Sequence, residues 1–375
     1  MHLNRRPFLT MSGPALSDDL PEEAFAAALA SAPNVGPATL RRLLALGPPS
    51  VAWSRSGFSG DVAGIWQRHE QRGVTILTAD NPVYPDRLAG DPEAPPILFC
   101  LGDPTAVDRH PTVALVGTRS PTRYGIGVAA QFGADLAAAG VSVVSGLALG
   151  IDGAAHEGAC ASGAPPVAVV AGGLDDPYPR RHARLWERVA TQGVVYSESP
   201  AGVRTEKWRF PKRNHLLAGL SDAVVVIESR HGGGSMHTVT AALDRGIPVG
   251  AVPGSIRSPT SEGTNKLLSE GCFPVCDVAD ILVALSLGGA QLPQPQNQSK
   301  PAAPAPAPAP APTRPDAEAN GPDHLVWAAL THDPTSLDHL ARETGLELAS
   351  LCGGLERLAT AGLVREAGGG WWERI

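Results

Sequence analysis

Cysteine, aromatic residues and positive charge are all scarce in this chain. Its 375 residues include 5 cysteines, at Cys100, Cys160, Cys272, Cys276 and Cys352. An odd, scattered set argues against a disulfide framework. Cys272-x-x-x-Cys276 has no second ligand pair nearby, so it reads as two small residues beside a strand. No metal or other cofactor is expected. Lys and Arg total 30 against 37 Asp and Glu, a formal net charge of −7. That balance excludes a general polyanion binder, and any nucleic-acid site must be local. No unbroken apolar run reaches the ~18 residues that a membrane span needs. Arg5 and Arg6 precede no long apolar stretch before Pro14, which argues against a secretory signal and for a cytoplasmic protein.

Two phosphate-binding signatures are also missing. No Gly-Lys-Ser/Thr occurs, so there is no P-loop. Gly117, Gly125 and Gly127 lie too far apart for the dinucleotide fingerprint. No Ser-His-Asp set or metal cluster stands out. Asp152 reads as an N-cap or a brace between loops, and His156, four residues on, as core packing. The expectation is a protein that is not an enzyme.

What is present is an alternation of elements. Residues 1–20 read as a disordered leader. Residues 21–72 read as a small helical module. It starts at Pro21-Glu-Glu and contains the turn-plus-helix Pro33-Asn-Val-Gly-Pro-Ala-Thr-Leu-Arg-Arg-Leu-Leu44, of SAM or helix-hairpin-helix type. From 73 to 287 short apolar runs alternate with helices. The runs are Val74–Leu77, Ile97–Leu101, Val113–Val116, Val141–Val144, Val167–Val170, Val194–Tyr196, Ala223–Ile227 and Val249–Val252. This predicts an α/β, Rossmann-like, doubly wound and mostly parallel sheet, buried on both faces. Residues 288–322 form a Pro/Ala-rich linker that cannot pack a core and reaches roughly 100 Å when extended. Residues 323–375 read as three helices and a hairpin, a winged-helix pattern.

Trp208-Arg-Phe-Pro-Lys-Arg-Asn214 is the anomaly. Arg204, Lys207, Arg209, Lys212 and Arg213 face Glu206 as the local counter-charge. Cations beside Phe and Trp grip phosphates and stack bases. The segment reads as a basic loop at the rim of the sheet. Four Gly-rich turns should converge near it, beyond the strand ends: Gly117-Thr-Arg119, Ser145-Gly146 through Gly150, Ala171-Gly-Gly173 and Gly232-Gly-Gly234-Ser235. Their amides bind anions, Thr118 and Ser235 can add hydroxyl donors, and Arg119 can fork onto a phosphate.

Together these motifs resemble the DNA-processing protein A family, DprA or Smf. The likeness rests on Val116-Gly-Thr-Arg119, Ser145-Gly-Leu-Ala with Gly150-Ile-Asp152, Gly173-Leu-Asp175, Phe210-Pro-Lys-Arg-Asn214 with Ala218-Gly-Leu-Ser221, Gly234-Ser235 and Ala251-Val-Pro-Gly254, in matching order and spacing. The resemblance implies a homodimer that binds single-stranded DNA. It implies protection of incoming DNA during natural transformation and help in loading RecA in place of single-strand binding protein. Carried onto this chain, it puts Gly117, Thr118 and Arg119 on phosphate and Phe210, Lys212, Arg213 and Asn214 in the same DNA groove. Lys207, Gly146, Gly234 and Ser235 complete the expected site.

Three departures stand out. Leu149 and His215 occupy positions where the family usually has Arg, and His231-Gly-Gly-Gly-Ser-Met-His237 replaces an Arg-containing turn. Protonation of His215 and His237 is therefore expected to strengthen DNA binding as pH falls. The presumed winged helix holds eight acids and four arginines, with Arg357 the lone cation of its presumed recognition helix Leu348–Ala361. That favours a protein contact over groove reading. The competing class is a Rossmann-like nucleoside monophosphate hydrolase. Its motif needs a glutamate that Gly232–Leu243 lacks.

Overall fold

The computed structural model describes residues 20–161, 163–290, 321–330, 334–368 and 370–374. The expected leader and most of the Pro/Ala linker lie outside them. Two compact units divide the chain near residue 296.

The first unit begins with four short helices: α1 (Glu22–Ser31), α2 (Pro37–Leu44), α3 (Pro49–Ser56) and α4 (Val62–Glu70). In α1, Ala24, Ala26, Ala27, Ala28 and Leu29 are all buried, because small side chains let its neighbours close in on several sides. Nine strands follow: β1 (Thr75–Thr78), β2 (Ile97–Gly102), β3 (Thr112–Val116), β4 (Ser142–Ser145), β5 (Val167–Val170), β6 (Val194–Ser197), β7 (Ala223–Val226), β8 (Val249–Ala251) and β9 (Phe273–Pro274). Between and after them come α5 (Arg123–Ala138), α6 (Ile151–Ala159), α7 (Ala183–Gln192), α8 (Arg209–Gly219), α9 (Met236–Asp244), α10 (Glu262–Ser269) and α11 (Val278–Leu287).

The strands form one sheet in the order β1-β2-β6-β5-β4-β3-β7-β8-β9. The seven strands β3 to β9 pair in parallel, whereas β2 joins β6 antiparallel and carries β1 as an antiparallel edge. The apolar strands are buried on both faces, as their composition requires. Ala114, Val116, Val144, Val167, Val224 and Val226 face α8 and α9. Val113, Leu115, Val143, Ala223 and Val225 face α5, α6 and α11.

The helical module does not stand apart from the sheet. Ala24–Leu29, Leu40, Trp53 and Val62 share one core with Ile76, Phe99, Ala168, Val195 and Trp186. It is clamped by His69, whose Nε2 accepts from the Ala201 amide at 3.0 Å and whose ring stacks on Phe99.

The second unit is a winged helix. It comprises α12 (Pro322–Ala329), β10 (Thr335–Ser336), α13 (Leu337–Thr344), α14 (Leu348–Thr360), β11 (Val364–Gly368) and β12 (Trp371–Arg374). The strands order as β10-β12-β11 over a core of Val326, Leu340, Leu351, Leu355 and Leu358. Arg357 is spent inside the unit, donating to Asp323 at 2.8 and 2.5 Å.

Candidate functional site

Strands that run parallel end on the same side of a sheet, so their Gly-rich turns gather along one edge. The strand order reverses between β3 and β7, which lead in opposite directions across the sheet. A cleft of about 460 Å3 opens there. Gly117, Thr118, Arg119, Lys207, Phe210, Arg213, Asn214, Gly234 and Ser235 all line it. Gly146 lines an adjoining, smaller cavity beyond β4 and β5, which shares Arg119 and Phe210 with the first. Lys212 lines neither of these.

The basic segment is not a loop. From Arg209 it is the start of α8, and the helical period separates its side chains. Phe210, Arg213 and Asn214 turn towards the cleft, while Arg209 and Lys212 turn towards another groove beside the helical module.

Arg213 corrects the expectation of a surface cation. It is 5 % exposed, and it donates to the carbonyls of Gly146, at 3.0 Å, and of Val169. Asn214 donates to the Gly234 carbonyl at 3.0 Å. One Arg-Asn pair thus ties the turn after β4 and the turn before α9 to the same helix.

Beneath Arg213 lies Asp152, 7 % exposed in the first turn of α6. Its carboxylate accepts from the Ala148 and Gly146 amides and faces the charges of Arg213 and Arg119. Burial pushes its carboxyl above the ordinary range against those charges, and burial likewise lowers Arg213 to about 10. The brace expected of Asp152 is what the structure shows. His156 is fully buried, donates from Nε2 to the Val167 carbonyl at 3.1 Å, and is lowered to about 4 by burial.

The turn after β3 is held by a residue that sequence reasoning missed. Glu228, 2 % exposed, accepts from the Thr122 amide at 2.8 Å and the Thr122 hydroxyl at 2.6 Å. Its backbone carbonyl accepts from the Thr118 amide at 2.8 Å. A carboxylate directly after the apolar run Ala223–Ile227 was the available signal. Leu147 is a second such residue. Its φ of +53° is in the left-handed region, unfavourable for a branched side chain, and full burial holds it there.

The cleft mouth carries the free charge. Arg119 and Lys207 are exposed, and the Arg119 guanidinium lies 4.0 Å from the centroid of the Phe210 ring. Tyr178, which lines the adjoining smaller cavity, has its ring centroid 6.0 Å from that of Phe210. Ser235 is not a donor to the cleft, because its hydroxyl is spent on Ser229 at 2.8 Å. Thr238 takes that place: it is 1 % exposed, lines the cleft, and its hydroxyl has no partner among the described residues. Amides, an exposed guanidinium, an ammonium and a flat ring suit phosphate and base. Asp152 is the one carboxylate among the described lining residues, and it is already braced.

A doubly wound sheet with a cation-rimmed, amide-lined cleft at its strand-order reversal defines a Rossmann-type binder of phosphate-bearing ligands. Within that class the chain belongs to the DNA recombination-mediator protein A family, whose model matches residues 75–286. A DprA winged helix domain model matches residues 301–370. DNA processing protein DprA of Bacillus subtilis is 34% identical over 58% of this chain and 73% of its own length. Protein Smf of Escherichia coli is 38% identical over 60% of each chain. The solved DprA of Streptococcus pneumoniae aligns with a TM-score of 0.58 at 30% identity, over 71% of this chain and 93% of its own. DNA processing protein A from Helicobacter pylori, solved for its single-stranded DNA binding mode, aligns with a TM-score of 0.51 at 29% identity, over 58% of this chain and 97% of its own.

No described helix is long and apolar enough to cross a membrane.

Proposed function

We propose that this protein binds single-stranded DNA in the switch-point cleft and acts as a recombination mediator in natural transformation. In this reading it protects incoming single strands and helps load RecA onto them. RecA, single-strand binding protein and a second copy of the chain are its partners, and the cytoplasm is its place of work.

The observation that carries the reading is the meeting of Arg119, from the turn after β3, with Lys207 and Phe210, from the segment that enters α8, at the mouth of one amide-lined cleft. Backbone amides, Arg119 and Lys207 take phosphate, while Phe210 and Tyr178 offer faces to bases. The family and the single-strand binding mode of the Helicobacter pylori relative support the same ligand. A salt-series binding assay on single- and double-stranded oligonucleotides tests it. Single-strand preference is expected, with log affinity falling by about 0.7 per phosphate contact per log unit of salt. Arg119→Ala and Lys207→Ala should weaken binding without loss of fold. Wild-type affinity in both variants would sink the assignment. Release of free base from AMP would replace it with the nucleotide-hydrolysing alternative.

A further inference from the structure

A second groove, of about 500 Å3, lies on the far side of α8. One wall is the turn Asn34-Val-Gly-Pro37 that leads into α2, and the other is Trp208, Arg209 and Lys212. Arg213 lines both this groove and the switch-point cleft, so the two meet across the first turn of α8.

Three features give this groove the chemistry of a strand track. Trp208 is 56 % exposed, with the Arg209 guanidinium 4.3 Å from its ring centroid, so an aromatic face stands in solvent beside a cation. The Arg209 Nε is buried with no hydrogen-bond acceptor among the described residues, the Glu206 carboxylate standing 3.9 Å away, while its Nη1 donates to Ser199 at 3.2 Å. Lys212 Nζ stops 3.9 Å from one oxygen of Glu198, outside hydrogen-bond range, and His215 Nε2 lies 2.9 Å from the other. Across the groove, α2 starts at Pro37 after Gly36, with no side chain capping its first amides. Those amides are anion donors.

A flat ring, two cations with donor capacity left over and an uncapped helix start suit a phosphate backbone with unpaired bases. Arg213 separates the groove from the first cleft, so a ligand that occupies both must be long and flexible enough to cross one helical turn. We propose that single-stranded DNA leaving the switch-point cleft passes over the start of α8 and continues in this groove. A base stacks on Trp208, and phosphates rest on Arg209 and Lys212, facing the start of α2 at Gly36 and Pro37. The proposal rests on the single-strand reading of the first cleft.

Oligo-dT of about 4 and about 16 nucleotides tests it, with the full chain, Lys212→Ala, Trp208→Ala and Arg119→Ala compared over a salt series. Lys212→Ala and Trp208→Ala should leave the affinity for the short oligomer unchanged and weaken the long one by about tenfold. The salt slope of Lys212→Ala on the long oligomer should fall by about 0.7. Arg119→Ala should weaken both lengths. Equal losses on both lengths for Lys212→Ala would put Lys212 in the first cleft and overturn the proposal. Wild-type affinity and slope on the long oligomer in both groove variants would also overturn it, while leaving the first cleft intact. An Arg119→Ala chain that binds both lengths like the parent would instead remove the underlying reading.

Discussion

Arg213 donates from Nη1 to the carbonyl of Gly146 at 3.0 Å, inside the protein. The helix that carries Phe210 is thereby locked to the turn after β4. A guanidinium that looks from its neighbours like a phosphate ligand is thus a strut. Arg213→Ala should cost about 2–4 kcal/mol, because it orphans two carbonyls and leaves Asp152 without its nearest charge. Urea unfolding measures this directly. An unchanged midpoint would show that the strut carries no load.

Gly146 should be sensitive to alanine and Gly234 tolerant of it. A Cβ on Gly146 would stand against the Arg213 guanidinium and the Asp152 carboxylate, whereas one on Gly234 meets nothing within 4 Å. Gly146→Ala should destabilise by about 1–3 kcal/mol. Gly234→Ala should stay within about 0.5 kcal/mol of the parent. Thermal melts of the two variants side by side test the pair.

Glu228 positions the turn that carries Arg119. Glu228→Gln replaces one acceptor of the Thr122 amide and hydroxyl by a donor. The expected result is about 1–2 kcal/mol of lost stability and weaker binding of oligo-dT. Glu228→Asp, which keeps the charge, should restore part of both. Binding as tight as the parent's in Glu228→Gln would remove the positioning role.

Histidines act on acid stability with two signs. His215 is raised above 6.5: burial opposes this, but the hydrogen bond and charge of Glu198 outweigh it. Its contribution is fully present below 6.5 and fades as pH rises through its folded value. His156, lowered to about 4, does the reverse. The folded state binds its proton later than the unfolded one, so stability falls as pH drops from 6.5 towards 4. His215→Gln should therefore lose more stability at acid pH than at alkaline pH. NMR titration of the His156 ring should show no change until pH approaches 4. His215 is paired with Glu198 and does not line the cleft, whereas His237 is exposed and does line it.

The amino-acid pattern by itself determined eight of the nine strands, the parallel pairing of most of them and the edge on which the glycines gather, but not the two-residue β9. Continuous apolar runs can be satisfied only by burial on both faces, and parallel strands end on one side. It also determined the local character of the charge, since cations that dense in an acidic chain need a common task. The tertiary structure alone decided what each cation does. The segment beginning at Arg209 is a helix, so residues adjacent in sequence point in different directions. Arg213 is turned inward to carbonyls, Phe210 to the first cleft, and Arg209 and Lys212 to the second groove. Burial against partners far along the chain, such as Gly146 and Val169 for Arg213, has no signature in local composition. The same reason hid Glu228, whose role depends on Thr122 reaching it across 106 positions of sequence.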